Sequence, residues 1–93
     1  MRTAPIYSRF GVVLRKHREA AGLSQRQLAA ITGHQRTHIG LIEQGTQNPS
    51  LTLADDLARA LRTSLSKMIM EAQQLRGRGI GGPLKPGRKR RMQ

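Results

Sequence analysis

Three glycines, Gly22, Gly33 and Gly45, punctuate the first half of the chain, and the apolar residues between them recur at helical spacing. Before the first, Phe10, Val13, Leu14, His17 and Ala21 share one face at i, i+3, i+4 intervals. That spacing predicts a helix over residues 8–21 with Gly22 as its left-handed end. Ser24-Gln25-Arg26-Gln27 fits a capping box, in which the serine hydroxyl takes one backbone amide and the Gln27 side chain reaches back to another. It opens a short helix to Thr32, stopped by Gly33. A third helix is expected over residues 36–44, burying Ile39 and Ile42 and ending at Gly45. Asn48-Pro49 marks a turn. Thr52 with Asp55 is read as the start of a fourth helix to Leu61, with Leu53, Leu57, Ala58 and Leu61 on its face. Ser64 caps a fifth, striped by Leu65, Met68, Ile69, Ala72 and Leu75. One Tyr, one Phe, no Trp and no sustained alternation leave no strand signal. The fold class is all-α.

Charge divides the same chain. Seventeen Lys and Arg against five Asp and Glu give +12 over 93 residues, an excess that calls for a polyanionic partner, nucleic acid first. Arg76, Arg78, Lys85, Arg88, Lys89, Arg90 and Arg91 crowd the end, with no acid and with half of the ten glycines. Such a stretch has too little apolar surface to offset the entropy of ordering it, so residues 76–93 read as a disordered basic tail. Residues 9–75 then form the folded domain and 1–8 an N-terminal arm.

Several function classes fall away. Without cysteine there is no disulfide framework, Cys-based zinc site or thiol nucleophile. No apolar run approaches the roughly 20 residues of a spanning helix, and the N-terminus lacks the apolar core of a signal peptide. A soluble, intracellular protein of the cytoplasm is expected, with no membrane partner. Asp55-Asp56 is the only carboxylate doublet, and no Ser/His/Asp set or phosphate loop accompanies it. Neither an enzyme nor a cofactor is expected.

Leu28 faces the core, Ala29 is small where two helices must nearly touch, Gly33 takes the tight turn, and Ile39 and Ile42 hold the next helix. These are the packing requirements of a helix-turn-helix. The wider set, Ser24-Gln25-x-x-Leu28-Ala29, Gly33, Ile39, Ile42-Glu43-x-Gly45 and Asn48-Pro49-Ser50 with Leu53 and Ala58-x-x-Leu61, resembles the Cro/phage-repressor (XRE-like) helix-turn-helix family over residues 9–75. Within it, Gln35-Arg36-Thr37-His38-Ile39 looks closest to the controller proteins of restriction–modification systems. The resemblance implies a five-helix, lambda-repressor-like domain. It also implies duplex DNA as partner, a homodimer, and regulation of transcription, including that of its own operon in a mobile-element or phage-like module. The sequence departs from the pattern at two places. His34 stands where the family is usually aliphatic, and Gln35, a weak cap, stands where Ser, Thr or Asp usually opens the third helix. Gly40, where serine is frequent, costs that helix about 1 kcal/mol relative to alanine. It serves a close approach to a neighbour or phosphate, or it is drift.

Site residues follow from side-chain chemistry and from the resemblance. Gln35, Arg36, Thr37 and Leu41 project from the third helix: Arg reads guanine, Gln adenine, and Thr or Leu a thymine methyl. Gln25, at the start of the second helix, is implied to grip a phosphate. Arg18, Arg26 and His38, with Gln44, Thr46 and Asn48 of the following loop, are further expected phosphate contacts, although His38 also suits a base edge. The resemblance pairs Arg18 with Glu43. Arg9, Arg15 and Lys16 are cations that a solvated face explains equally well. His34 and His38 lie at i, i+4, but no third ligand stands near them, so no metal is expected. His17 is expected to pack. Leu65, Met68, Ile69 and Met70 give the fifth helix more apolar surface than a small monomer needs. That predicts a two-fold dimer through this helix and the loop before it, with recognition helices about 34 Å apart on half-sites about 10 bp apart. An antitoxin, holding a second protein through the basic tail or fifth helix, is the alternative. Non-specific single-strand binding by the tail is disfavoured by the scarcity of stacking aromatics.

Overall fold

Four of the five helices stop in the same way, and this sets the architecture. The computed structural model describes residues 4–75, with α1 at Ile6–Ala20, α2 at Gln25–Thr32, α3 at Arg36–Gln44, α4 at Leu51–Ala60 and α5 at Leu65–Gln74. No strand occurs among the described residues. The basic tail expected over residues 76–93 lies outside them. After α1, α2 and α3 the chain turns on Gly22, Gly33 and Gly45, at φ of 74°, 76° and 82°. The next amide reaches back across the last turn in each case: Leu23 to the Arg18 carbonyl, His34 to Ala29 and Thr46 to Leu41. The turn after α4 is the same, Thr63 to Ala58, but its left-handed residue is Arg62 at φ 61°.

The starts are chemically distinct. Ser24 and Gln27 close the expected capping box on α2 at 3.0 and 2.8 Å, and Ser64 Oγ accepts the Lys67 amide at the head of α5. Two boundaries differ from the sequence reading. α1 begins at Ile6, and the Ser8 hydroxyl, already inside the helix, donates instead to the Gly45 carbonyl at 2.9 Å. α4 is capped by Ser50, whose Oγ accepts the Leu53 amide at 3.0 Å. Ser50 holds the extended conformation that a cap requires, whereas Thr52 is already helical.

The core gathers Phe10 and Leu14 of α1, Leu28 of α2, Ile39 and Ile42 of α3, Leu57 of α4 and Met68 of α5. Met68 corrects an expectation. It is fully buried in the single chain and closes the core together with Ala72, so it is not available to an interface. Leu65 and Ile69 pack half-buried against this core, and Met70 points away from it at 56% exposure. α1 passes α3 at Gly11, where a Cβ would overlap the Ile42 carbonyl. No helix among the described residues is long and apolar enough to cross a membrane.

Candidate nucleic-acid interface

α3 is amphipathic in a sense that divides it cleanly. Ile39, Gly40 and Ile42 are buried, whereas Gln35, Arg36, Thr37 and Leu41 stand exposed along the other side. Ile42 lies against α1 at Gly11, so the exposed row is carried by a helix whose depth is set by backbone contact. Gln35 occupies the N-cap in extended conformation and makes no side-chain capping bond, consistent with glutamine's weakness there. His38 is half-buried. Leu41 is 37% exposed.

A chain of hydrogen bonds runs from this row into the domain. Arg36 Nη1 donates to Gln25 Oε1 at 2.9 Å, and Gln25 Nε2 donates to Glu43 Oε1 at 3.0 Å. Arg18 grips both oxygens of Glu43, Nε to Oε2 at 2.6 Å and Nη2 to Oε1 at 3.0 Å, and its Nη1 donates to the Leu23 carbonyl at 2.8 Å. The hydrogen bond to Glu43 outweighs burial and raises the Arg18 pKa above its ordinary value. The guanidinium therefore stays charged. With three nitrogens engaged and the residue 9% exposed, Arg18 is an internal tie rather than the surface cation expected to meet a phosphate.

The other expected residues are more scattered. Arg26 is exposed beside Gln25 at the start of α2, and Gln44, Thr46 and Asn48 are exposed on the α3–α4 side. The Thr46 hydroxyl donates to the Leu41 carbonyl at 3.2 Å, which holds the loop against the end of α3. Of the three basic residues of α1 left to a solvated face, Arg9 is tied into the fold, whereas Arg15 and Lys16 stay exposed on the surface. Arg9 donates to the carbonyls of Ala4 and Ala72, Arg15 pairs with Glu19, and Lys16 lies 3.8 Å from Glu71. His17, expected as a packing residue with its ring satisfied, is half-buried and bonds Glu71 through Nε2 at 2.8 Å. His34 Nε2 lies 3.4 Å from Asp56 of α4.

Two features escaped the sequence reading. Gly11 was one, and its signal was available: a glycine between Phe10 and Val13 on the buried side of a helix has lost a side chain for some reason. The Gln25–Arg36 bond was the other. The two residues lie on opposite sides of the Gly33 turn, so no helical spacing relates them.

A helix-turn-helix family profile matches residues 14–68. The control protein C.SmaI of Serratia marcescens is 43% identical over 56 residues, which are 60% of this chain and 67% of that protein. An uncharacterized HTH-type transcriptional regulator of Sinorhizobium fredii is 50% identical over 48 residues, 52% of this chain but 24% of the regulator's own length. Among solved structures, the restriction-modification controller protein C.AhdI from Aeromonas hydrophila aligns with a TM-score of 0.64 at 39% identity, over 67% of this chain and 94% of that one.

Proposed function

The chain belongs to the helix-turn-helix family of Cro/phage-repressor (XRE-like) transcriptional regulators, and from that premise we propose that it reads duplex DNA by laying α3 in the major groove. The observation that carries this is the exposed row Gln35, Arg36, Thr37 and Leu41 on a helix whose opposite side is locked to α1. Arg36 suits guanine, Gln35 adenine, and Thr37 or Leu41 a thymine methyl. Arg26, His38, Gln44, Thr46 and Asn48 flank that row and suit the phosphate backbone. The seven cations of residues 76–93 add sequence-independent attraction.

The proposal includes a homodimer on near-palindromic operators, regulating its own operon in the manner of a controller protein. It is supported by apolar surface left over once the monomer core is closed. A groove between α1, α4 and α5 is lined by Ile6, Tyr7, Leu51, Leu65 and Ile69, among others, with Met70 exposed on α5 as well. Leu51 is 77% exposed. Half-sites one turn of DNA apart would require the second copy to set the two recognition helices roughly 34 Å from each other.

Selection of bound duplexes from a random pool tests the reading directly. A palindromic preference is expected, and Arg36→Ala should lose discrimination at one position of each half-site, roughly 5- to 150-fold. Equal weakening on every sequence would remove Arg36 from readout. Met70→Glu, at an exposed position, should give a monomer in sedimentation and abolish cooperative filling of the two half-sites. A variant that still dimerises would move the interface off α5.

A further inference from the structure

The polar chain through Gln25 has a direction that chemistry alone fixes. An ionised carboxylate only accepts hydrogen bonds and a guanidinium only donates them, so an amide between the two has one possible orientation. Glu43 must face the NH2 of Gln25 and Arg36 must face its oxygen, which is the arrangement present: Nε2 to Glu43 Oε1 at 3.0 Å and Arg36 Nη1 to Oε1 at 2.9 Å. The Glu43 side chain is only 4% exposed and is held on both oxygens by Arg18, so the carboxylate that orients the amide is itself immobile. Gly40 lies under the same amide. A Cβ there would come into van der Waals contact with Gln25 Oε1, at 3.4 Å, so the amide lies directly against α3 at Gly40.

We propose that Gln25 is a positioning residue for Arg36: Glu43 sets which way the Gln25 amide points, and its oxygen holds the Arg36 guanidinium in place before DNA arrives. The bond also ties the first residue of α3 to the first of α2, at a helix start that Gln35 does not cap. A phosphate contact by Gln25 would draw on the one NH2 hydrogen that Glu43 leaves over, whereas its oxygen is engaged with Arg36. The main role assigned to Gln25 is therefore indirect specificity. An arginine already ordered loses less rotamer freedom when it meets its base, and ordering one such side chain is worth about 2- to 12-fold in affinity. That gain applies where Arg36 finds its partner base and disappears where it does not.

The proposal rests on the reading of α3 as the recognition helix, and two independent readouts separate the failure of one from the failure of the other. The variant is Gln25→Met in the full chain, which keeps the length of the side chain and removes both polar ends. In the DNA-free protein, nitrogen spin relaxation should show the Arg36 guanidinium ordered in the parent and mobile in the variant. In pool selection, preference should fall about 2- to 12-fold at the one position per half-site that Arg36→Ala also affects. Other positions should keep their preference, and the double variant should be no worse there than Arg36→Ala alone. An Arg36 that stays ordered without Gln25 overturns the proposal. So does equal weakening on all sequences, which is the signature of a phosphate contact. If no duplex is preferred at all, the reading of α3 fails, and the relaxation measurement still decides whether Gln25 holds Arg36.

Discussion

His17 and Arg18 are consecutive residues of α1, each bonded to a glutamate, and they tie the helix to different neighbours on different terms. Arg18 meets Glu43 of α3 in bidentate fashion with the two side chains 10% and 4% exposed. His17 meets Glu71 of α5 through one bond with the two side chains 21% and 24% exposed. Close by, Gly11 lets α1 press directly on the Ile42 carbonyl of α3, while on the α5 side Arg9 reaches out to the Ala72 carbonyl with a long, flexible arm. One seam is made of desolvated charge and backbone contact, and the other of rim contacts around Met68 and Ala72. The helix proposed to read DNA sits on the rigid seam, and the helix proposed to pair with a second copy sits on the adjustable one.

The rigid seam offers the largest effect. Glu43→Ala leaves the Arg18 guanidinium buried without its partner, a loss of roughly 3–5 kcal/mol in such settings. Urea unfolding should show it as a large fall in midpoint. Replacing Arg18 and Glu43 together by Met and Leu should recover most of the stability, because no charge is then stranded. A single-variant loss below about 1 kcal/mol would put the pair in the class of exposed ion pairs and erase the contrast between the seams. Gly11→Ala comes next. Its Cβ must push α3 away, and overpacking of this kind costs about 1–3 kcal/mol, more than the roughly 1 kcal/mol that alanine returns to the helix. An unchanged or higher melting temperature would mean that α1 and α3 do not meet on the backbone at Gly11.

What the sequence revealed, and what it hid, follows the same division. Local chemistry was legible: the Ser24–Gln27 box and the left-handed ends at Gly22, Gly33 and Gly45 are each written within a few neighbouring residues. The turn at Arg62 repeats that backbone but carries a side chain that does not advertise it. The start of α4 was read at Thr52, and the cap proved to be Ser50, because a hydroxyl two residues earlier on the same stretch carries no spacing signal of its own. Met68 looked like interface because a stripe on the last helix reads alike whether it meets the core or a second copy. The resemblance paired Arg18 with Glu43, yet it did not show that burial takes Arg18 away from solvent. The link from Gln25 to Arg36 depends on how two helices are placed across a turn, and that placement is a tertiary fact.

The adjustable seam carries the smallest effect and a pH signature of its own. Burial pushes the Glu71 carboxyl up, but the hydrogen bond from His17 and the charges of His17, Lys16 and Lys67 outweigh it and leave the pKa below its ordinary value of 4.5. The folded state therefore favours the ionised form more than the unfolded chain does. The resulting stabilisation is fully present above the unfolded value and is lost as pH falls through the lower folded value. Glu71→Gln should thus lower stability near neutrality by under about 1 kcal/mol. The difference from the parent should shrink as acid, below the ordinary carboxylate range, protonates Glu71 in the folded state too. A gap that persisted in acid would show that the glutamate holds α5 by shape or neutral hydrogen bonding rather than by charge. The same variant sharpens the comparison at the DNA end. Glu71 touches α1 and α5 but none of the Arg36–Gln25–Glu43–Arg18 chain, so Glu71→Gln should leave base preference unchanged while Glu43→Ala does not. Equal changes in both would mean that α1 transmits strain from one seam to the other.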